Sequence, residues 1–161
     1  KEEWHPRRGR NHFLPLLAFL AALSSGGPTA LNQGLASYAV RAGEAGLAVV
    51  ISDLMDPAGY EAGLRALRAR GFDVHVLHVL SPDEINPAFG GDLKLVDSES
   101  GQVCELSLDG PALRSYRGRL GAFLERAEGF CRRNEIRYHR VVTDIPVEAF
   151  MLRHLKGLLL A

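Results

Sequence analysis

Apolar and polar positions alternate in blocks along the chain, and these blocks predict a succession of strands and helices. The run at 47–54 begins with aliphatic residues only and lies between Gly46 and Pro57. Such a run predicts a strand buried on both faces, of the kind found inside a parallel sheet covered by helices. A second apolar strand is predicted at 72–80, and a helix at 57–70 joins the two. Together they predict a right-handed βαβ unit with parallel strands.

The pattern of apolar and polar positions predicts further helices and strands on both sides of this unit. Apolar positions at helical spacing predict helices at 12–23, 30–41, 111–134 and 146–160. The first of these is dense enough in apolar residues to be largely buried. Residues 92–97 and 103–109 alternate apolar and polar positions, which predicts a half-exposed antiparallel hairpin added to the main sheet. A last strand is predicted at 137–143.

These elements predict an α/β fold with a doubly wound, mostly parallel sheet and an added antiparallel hairpin. The chain has 161 residues, of which 47% are hydrophobic, and this fits one soluble globular domain. Residues 1–11 carry many charges without periodicity, so we expect an irregular lead-in there. Residues 12–161 are predicted to form the domain. Because the chain begins with lysine, we expect it to be a piece of a longer protein.

Charge and cysteine content narrow the classes of function. The 19 basic and 19 acidic residues give a formal net charge of zero, which argues against a nucleic-acid or anionic-membrane partner. Cys104 and Cys131 have no metal-binding spacing, so we expect free, buried thiols, which fit a reducing compartment and a cytoplasmic protein. The most apolar window, at 13–23, is much shorter than the roughly 20 residues that span a bilayer. A membrane association is therefore expected only through segments outside this chain.

Polar residues at strand ends provide the candidate chemistry. Open parallel sheets bind ligands at the carboxyl ends of their strands, where Asp53 is predicted to lie. A second loop places Thr29 directly before a helix. Hydroxyl and carboxylate oxygens suit Mg²⁺ or Mn²⁺ and do not suit zinc. Thr143 and Asp144 follow a third strand and are candidates for the same rim.

Each of these residues also has a purely structural interpretation. Thr29 is equally well explained as the N-cap of the helix that follows it. Asp56 and Asp144 stand shortly before prolines and have the character of helix caps. An aspartate that ends a strand, as Asp53 does, is more often a turn or cap residue than a ligand.

Other chemistries are poorly represented in the sequence. The loop at 26–29 lacks the lysine and the spacing of a phosphate-binding P-loop, and no Gly-x-Ser-x-Gly nucleophile motif occurs. His75 and His78 lie three apart on a strand, hence on opposite faces, and are interpreted as packed or surface residues. Asp83 and Glu84 follow a strand end, where acids that begin a loop are commoner than catalytic carboxylates.

Several stretches of the chain are similar to known families. Gly26-Gly27-Pro28-Thr29-Ala30-Leu31, followed by a helix and Val49-Val50-Ile51-Ser52-Asp53-Leu54, resembles the second half of a von Willebrand factor A domain. More closely, the chain resembles the bacterial family called domain of unknown function 58 (DUF58). This resemblance includes His78-Val79-Leu80-Ser81-Pro82-Asp83-Glu84 and Leu95-Val96-Asp97-Ser98-Glu99-Ser100-Gly101, and it covers nearly all of 13–161.

The resemblance implies a metal-ion-dependent adhesion site to which Thr29 and Asp53 belong. In such domains an Asp-x-Ser-x-Ser motif at the end of the first strand completes the site, and this sequence contains no such motif. The resemblance therefore implies that the N-terminal strands of the full domain are missing and that the chain holds only part of the metal site. A long apolar edge at 47–54 would then be unpaired, so we expect the isolated chain to be poorly stable or oligomeric.

The family also implies a role. Its members are usually encoded with MoxR-type AAA ATPases and are thought to assist the assembly or activation of other proteins. The leading hypothesis is thus a metal-dependent protein-interaction module that is not an enzyme. The alternatives are a Mg²⁺-dependent phosphoryl-transfer or hydrolytic enzyme that uses Asp53, and a metal-free structural domain in which Thr29 and Asp53 are only caps.

Overall fold

The computed structural model describes Trp4 and residues 9–24, 30–87, 91–96 and 101–154. One turn of 3-10 helix at Arg10–His12 precedes the helices α1 (Phe13–Ala22), α2 (Leu31–Arg41), α3 (Glu61–Ala69), α4 (Pro82–Ile85), α5 (Gly110–Arg133) and α6 (Val147–His154). The strands are β1 (Leu47–Ser52), β2 (Asp73–Leu80), β3 (Gly91–Val96), β4 (Val103–Leu108) and β5 (Arg137–Val142). Thr29, most of the lead-in and the predicted helix beyond residue 154 lie outside the described residues.

The main sheet has three parallel strands in the order β1-β2-β5. Ser52 pairs with His78 at the end of β1, and Leu80 pairs with Val142 at the end of β5. The predicted βαβ unit is confirmed, since α3 connects β1 to its parallel neighbour β2. The centre of the sheet is β2, because it has a strand on each side and its residues are almost all buried.

The predicted hairpin is confirmed, but its predicted place in the main sheet is wrong. Strands β3 and β4 pair antiparallel with each other and form a separate sheet within the described part of the chain. Neighbouring Leu95 and Val96 point to opposite faces of this hairpin, and both are exposed. The period-two pattern fixes the pairing of the two strands but does not determine what the hairpin packs against.

One face of the main sheet carries the core. Side chains of β1 and β2 meet those of α2, α3 and α5 there, and the buried set is Ala39, Val50, Leu54, Tyr60, Leu64, Leu67, Phe72, Val74, Val76, Ala127, Phe130, Cys131 and Ile136. The helices bury apolar positions three and four apart, as the sequence pattern predicted. Burial of this surface is the main stabilising contribution to the fold.

The other face of the sheet is open over β1, which corrects a prediction. Only Val50 of this strand is buried, while Leu47, Val49 and Ile51 are 51%, 42% and 68% exposed. Further along the same face, Phe150 of α6 packs on Leu77. The expected burial of β1 on both faces is wrong because it requires a covering layer that the described residues do not supply.

Helix α1 corrects a second prediction. None of its residues is buried, and Phe13 and Leu14 are 60% and 74% exposed. Its sequence is apolar on all sides, which is typical of a helix surrounded by protein. The apolar pattern predicted the helix correctly, but the predicted burial is wrong for the chain by itself.

Helix α3 begins at Glu61, four residues later than Pro57, where the sequence placed its start. Asp56 explains the difference. Its Oδ1 accepts a hydrogen bond from the Ala58 N–H at 2.8 Å, and its Oδ2 accepts one from the Leu31 N–H at 2.6 Å. Asp56 therefore caps the N-terminus of α2 and not the helix that follows it in sequence.

Candidate functional site

The carboxyl ends of the three parallel strands surround an open cleft of about 490 Å³. Its lining residues are Ile51, Ser52, Asp53, Val79, Ser81, Glu84 and Thr143. Asp53 follows β1, Ser81 and Glu84 follow β2, and Thr143 follows β5. The expectation that Asp53 and Thr143 share one rim is confirmed. Asp144 and Asp83 are not among the lining residues.

A tight turn presents Asp53 at the cleft. The Leu54 N–H donates to Ser52 Oγ at 3.0 Å, and the Met55 N–H donates to Asp53 Oδ1 at 3.0 Å. Leu54 has a φ of 60°, a left-handed conformation that costs a non-glycine residue about 1–2 kcal/mol. Its side chain is 1% exposed, so burial in the core holds this conformation. The backbone thus reverses directly after Asp53, and the carboxylate stays at the exposed surface.

Ser81 and Glu84 form a capping box at the start of α4. The Ser81 N–H donates to Glu84 Oε2 at 2.6 Å, and the Glu84 N–H donates to Ser81 Oγ at 3.2 Å. The Ser-x-x-Glu spacing is the sequence signal for this arrangement. Ser81 was not predicted to line the cleft, and Glu84 was predicted either to begin a loop or to act as an active-site carboxylate. One carboxylate oxygen of Glu84 is already engaged within the protein.

His78 lies in the layer beneath the cleft. It is 0% exposed, and its Nδ1 is 2.7 Å from the Tyr138 hydroxyl. Its ring meets those of Phe123 and Tyr138 edge to face. Burial lowers the pKa of His78, while the backbone of Asp53 opposes this shift. The interpretation of His78 as a packed residue is confirmed. Its partner Tyr138 was not predicted, because the sequence does not show how the residues of β2 and β5 are paired.

On the opposite face of the sheet, His75 and His139 lie side by side. His75 Nε2 is 2.7 Å from Arg137 Nη1 and 3.6 Å from Asp73 Oδ2, and its ring stacks on His139. Burial lowers the pKa of His75, and Asp73 partly opposes this. Since residues three apart on a strand face opposite sides, His75 and His78 do not form one site.

The oxygen atoms around the cleft are of the type that binds a hard cation, but they are too few to hold one. Asp53 and the hydroxyl groups of Ser52, Ser81 and Thr143 are the oxygen ligands that Mg²⁺ and Mn²⁺ accept. Within the described ranges, however, no group of three or more His, Cys, Asp or Glu side chains is arranged to hold a metal ion. Thr29, the other predicted ligand, lies outside those ranges. A complete metal site would therefore need donors beyond those seen around the cleft.

Both cysteines are free, as predicted, but the predicted burial is right for Cys131 and wrong for Cys104. Cys104 is exposed on β4, whereas Cys131 is a buried residue of α5 itself. Burial raises the pKa of Cys131 to about 11. A thiol with such a pKa stays protonated at neutral pH and is a poor nucleophile. Neither cysteine lines the cleft.

Comparison with known proteins connects the chain with a family that has no assigned function. The family model described as "Protein of unknown function DUF58" matches residues 2–122. Uncharacterized proteins of Mycobacterium tuberculosis and Mycobacterium bovis are each 38% identical to the chain over 120 residues. These matches cover 72% of the chain and 37% of each relative. The chain thus spans little more than a third of these relatives.

A shorter match leads to the same group of bacteria. An uncharacterized protein of Mycobacterium avium is 36% identical over 64 residues, which is 40% of this chain and 37% of that protein. No solved structure matches the chain. Across the described residues, no helix has the length and apolar character needed to cross a membrane.

Proposed function

Because the chain belongs to the family described as "Protein of unknown function DUF58", we propose that it is part of a protein-interaction module with a divalent-metal site. The observation that carries this proposal is the cleft at the carboxyl edge of the sheet, with Asp53 on its rim. Carboxylate and hydroxyl oxygens from three strand ends line this cleft, and they are ligands of the kind that Mg²⁺ and Mn²⁺ accept. Thr29 is the second proposed ligand.

We propose further that the fold is of the von Willebrand factor A type and is completed from outside this chain. The strand order β1-β2-β5 leaves β1 at the edge of the parallel sheet. Its sequence, Leu-Ala-Val-Val-Ile-Ser, has no charge and no proline to discourage pairing. A further strand beside β1, ending in Asp-x-Ser-x-Ser, would bring the missing ligands next to Asp53.

In this proposal the residues of the chain hold and orient, and they do not react. Asp53 supplies a carboxylate whose Oδ1 is held by the Met55 N–H. Ser52, Ser81 and Thr143 supply hydroxyl groups around it. The metal would supply an open coordination position for a carboxylate of a protein partner. We propose a MoxR-type AAA ATPase as the protein with which the module works, on the basis of the family resemblance alone.

An enzyme that transfers or hydrolyses phosphoryl groups is the main alternative. It needs a second carboxylate as an acid or base, and Glu84 is the acid that shares the cleft with Asp53. One of its oxygens is bound by the Ser81 N–H at 2.6 Å, which restricts its movement towards a substrate. The third hypothesis is a metal-free structural domain, which predicts that Mn²⁺ does not bind.

Calorimetric titration of Mn²⁺ tests the proposal. The protein should be one in which the proposed strand ending in Asp-x-Ser-x-Ser precedes this chain, and Asp53→Ala should be measured beside it. We expect binding in the parent and a loss of at least about tenfold in affinity in the variant, because a coordinating carboxylate is removed. Asp83→Ala is the matched control, since Asp83 is a neighbouring exposed acid outside the cleft lining.

The outcomes separate the three readings. No binding in parent or variant supports the structural domain. Equal loss in Asp53→Ala and Asp83→Ala contradicts a specific site and indicates a general effect of negative charge. Turnover of a phosphate ester that disappears in Asp53→Ala supports the enzyme.

A further inference from the structure

Helix α5 carries an excess of positive charge. Its sequence contains arginine at six positions and glutamate at two, and it contains no lysine. Arg119, Arg126 and Arg133 follow each other at intervals of seven residues, so they lie along one side of the helix. All three are exposed. This side of α5 therefore presents a row of guanidinium groups to its surroundings.

An arginine of a second helix joins this row. Arg65 of α3 is exposed, and its guanidinium carbon lies 5.5 Å from the centre of the Phe130 ring, a cation–π contact. Phe130 comes four residues after Arg126, which makes these two side chains neighbours on α5. Tyr60, directly before α3, packs edge to face on the same ring. Burial raises the pKa of Tyr60, and the nearby charge of Arg126 opposes this rise.

The side chain of Arg133 extends the same basic surface. A Cβ atom on Gly129 would lie 3.2 Å from Arg133 Nη1, so the guanidinium group covers this glycine, which is buried. The side chain thus runs back along the helix by one turn, in the direction of Arg126. We call Arg65, Arg126 and Arg133 the arginine cluster.

The carboxylates nearest to the arginine cluster in sequence are engaged elsewhere. Glu61 precedes Arg65 by four residues, a spacing that favours pairing on a helix, but its Oε2 accepts a hydrogen bond from the Tyr60 N–H at 3.1 Å. Glu128 Oε2 lies 3.9 Å from Arg140 Nη2. Among the described residues, no carboxylate forms an ion pair with a member of the arginine cluster.

Arg68, one turn after Arg65 on α3, provides the contrast. Its Nε donates to the Asn134 carbonyl oxygen at 3.2 Å and its Nη1 to that of Phe72 at 2.8 Å. Its Nη2 lies 2.7 Å from Glu135 Oε2. Arg68 therefore uses its guanidinium group to hold elements of this chain together, whereas the guanidinium groups of the arginine cluster stay available to a partner.

We propose that the arginine cluster is a docking surface for an acidic segment of a partner protein, whose aspartate or glutamate side chains it binds. Guanidinium groups that lie near one another without a carboxylate between them repel each other, and carboxylates of a partner remove this repulsion. Each guanidinium group can also bind a carboxylate through two parallel hydrogen bonds. Complementary charge of this kind gives a protein contact its specificity and speed of association.

The chemistry of the whole chain favours an acidic protein over a nucleic acid. A nucleic acid attracts proteins through a net basic charge, and the formal net charge of this chain is zero. The arginine cluster is also separate from the cleft, whose lining contains none of its residues. Its binding of an acidic segment therefore needs no metal and does not rest on the proposed function.

Fluorescence anisotropy of a labelled hexaglutamate peptide at low ionic strength tests the proposal in the full chain. We expect the double variant Arg65→Ala, Arg126→Ala to weaken binding at least about fivefold, because two ion pairs are lost. The matched control is Arg114→Ala with Arg132→Ala, which removes the same charge from exposed positions on another side of α5. It should change the affinity by less than about twofold.

NMR of the guanidinium Nε–H groups tests the same contact in the unmodified chain. Addition of hexaglutamate should shift the signals of Arg65, Arg126 and Arg133 and leave that of Arg114 unchanged. This measurement decides the proposal even if the double variant does not fold. Signals of the arginine cluster that do not respond would overturn it.

The remaining outcomes are equally decisive. A loss of affinity that is confined to the Arg65 and Arg126 variant supports the proposal. Equal weakening by both double variants contradicts it, since the peptide would then respond only to the total charge. No binding of hexaglutamate at low ionic strength overturns it. Binding of a labelled single-stranded oligonucleotide without binding of hexaglutamate also overturns it and assigns the surface to nucleic acid.

Discussion

The two edges of the main sheet are built from different residues. The β5 edge carries Arg137, His139 and Arg140. Arg137 Nη1 is 2.7 Å from Asp73 Oδ2, and Arg140 Nη2 is 3.9 Å from Glu128 Oε2. The β1 edge, in contrast, has no charged residue along its whole length.

Charge on an edge strand is a common protection against pairing with another chain. Strand β5 has this protection and β1 does not, although both are edges of the sheet formed by the described residues. The side chains of β1 that face away from the core are apolar and exposed. Strand β5 thus has the composition of an outer edge, whereas β1 has the composition of an interior strand.

The largest effect is expected for a charge placed on the covered face of β1. Val50 is 7% exposed in the core, whereas neighbouring Ile51 is 68% exposed on the open face. Val50→Asp should therefore lower the free energy of unfolding by about 4 kcal/mol or more, because it buries an unpaired carboxylate. Ile51→Asp should change it by less than about 0.5 kcal/mol. Urea titration followed by circular dichroism measures both.

The same two substitutions can be measured in a protein in which the proposed additional strand precedes this chain. If a further layer covers β1 there, Ile51→Asp should become destabilising by about 2 kcal/mol or more. A small effect of Ile51→Asp in both lengths would show that the open face stays open. It would contradict the interior character assigned to β1.

The two buried histidines of β2, one on each face of the strand, should make the stability of the protein depend on pH. Burial lowers the pKa of both His75 and His78 below 6.5 in the folded chain. Below about pH 6.5 the unfolded chain binds more protons than the folded chain, so stability should fall as the pH decreases towards the lowered values. Each histidine contributes a slope of up to about 1.4 kcal/mol per pH unit.

Variants separate the two contributions. We expect His78→Gln to remove more of the slope between pH 7 and 5 than His75→Gln, since the covered face holds water further away. Urea midpoints at several pH values measure this. A slope that neither variant reduces would show that the histidines are not its source.

The sequence predicted pairing and periodicity better than burial. The strands at β1, β2 and β5 were placed within one or two residues, because apolar runs between glycine and proline leave few alternatives. The predicted burial of α1 and β1 is wrong because an apolar pattern shows that a surface needs a partner but not where the partner is. The start of α3 was misplaced because Asp56 caps a different helix.

In the candidate site, too, the sequence predicted strand ends better than contacts between distant residues. Asp53 and Thr143 were expected on one rim, since the carboxyl ends of parallel strands must share an edge. Ser81 carried a readable signal in its spacing to Glu84, and that signal was missed. The contact between His78 and Tyr138 had no signal, because residues 60 positions apart meet only through the register of β2 and β5. The metal, the partner and the role of Thr29 stay predictions.

The smallest change in stability is expected for a charge on the exposed face of β1, and this substitution tests directly whether β1 is an adhesive edge. We expect the isolated chain to self-associate through β1, as an unprotected apolar edge does. Val49→Lys places a charge on this edge at a position that is 42% exposed, so stability should change by less than about 0.5 kcal/mol. The dissociation constant of the oligomer should nevertheless rise about tenfold or more, which corresponds to about 1.4 kcal/mol. Sedimentation velocity over a range of concentrations measures it.

The matched control for this experiment is Val103→Lys, the same substitution at a 53% exposed position of the hairpin. If β1 is the associating surface, Val103→Lys should leave the oligomer unchanged. If Val103→Lys is the variant that dissociates, the hairpin is the adhesive edge, and the contrast between β1 and β5 does not govern association. A chain that is monomeric at every concentration would show that the apolar surface of β1 is tolerated in water. The interior character of the strand would then have to be shown in the longer protein alone.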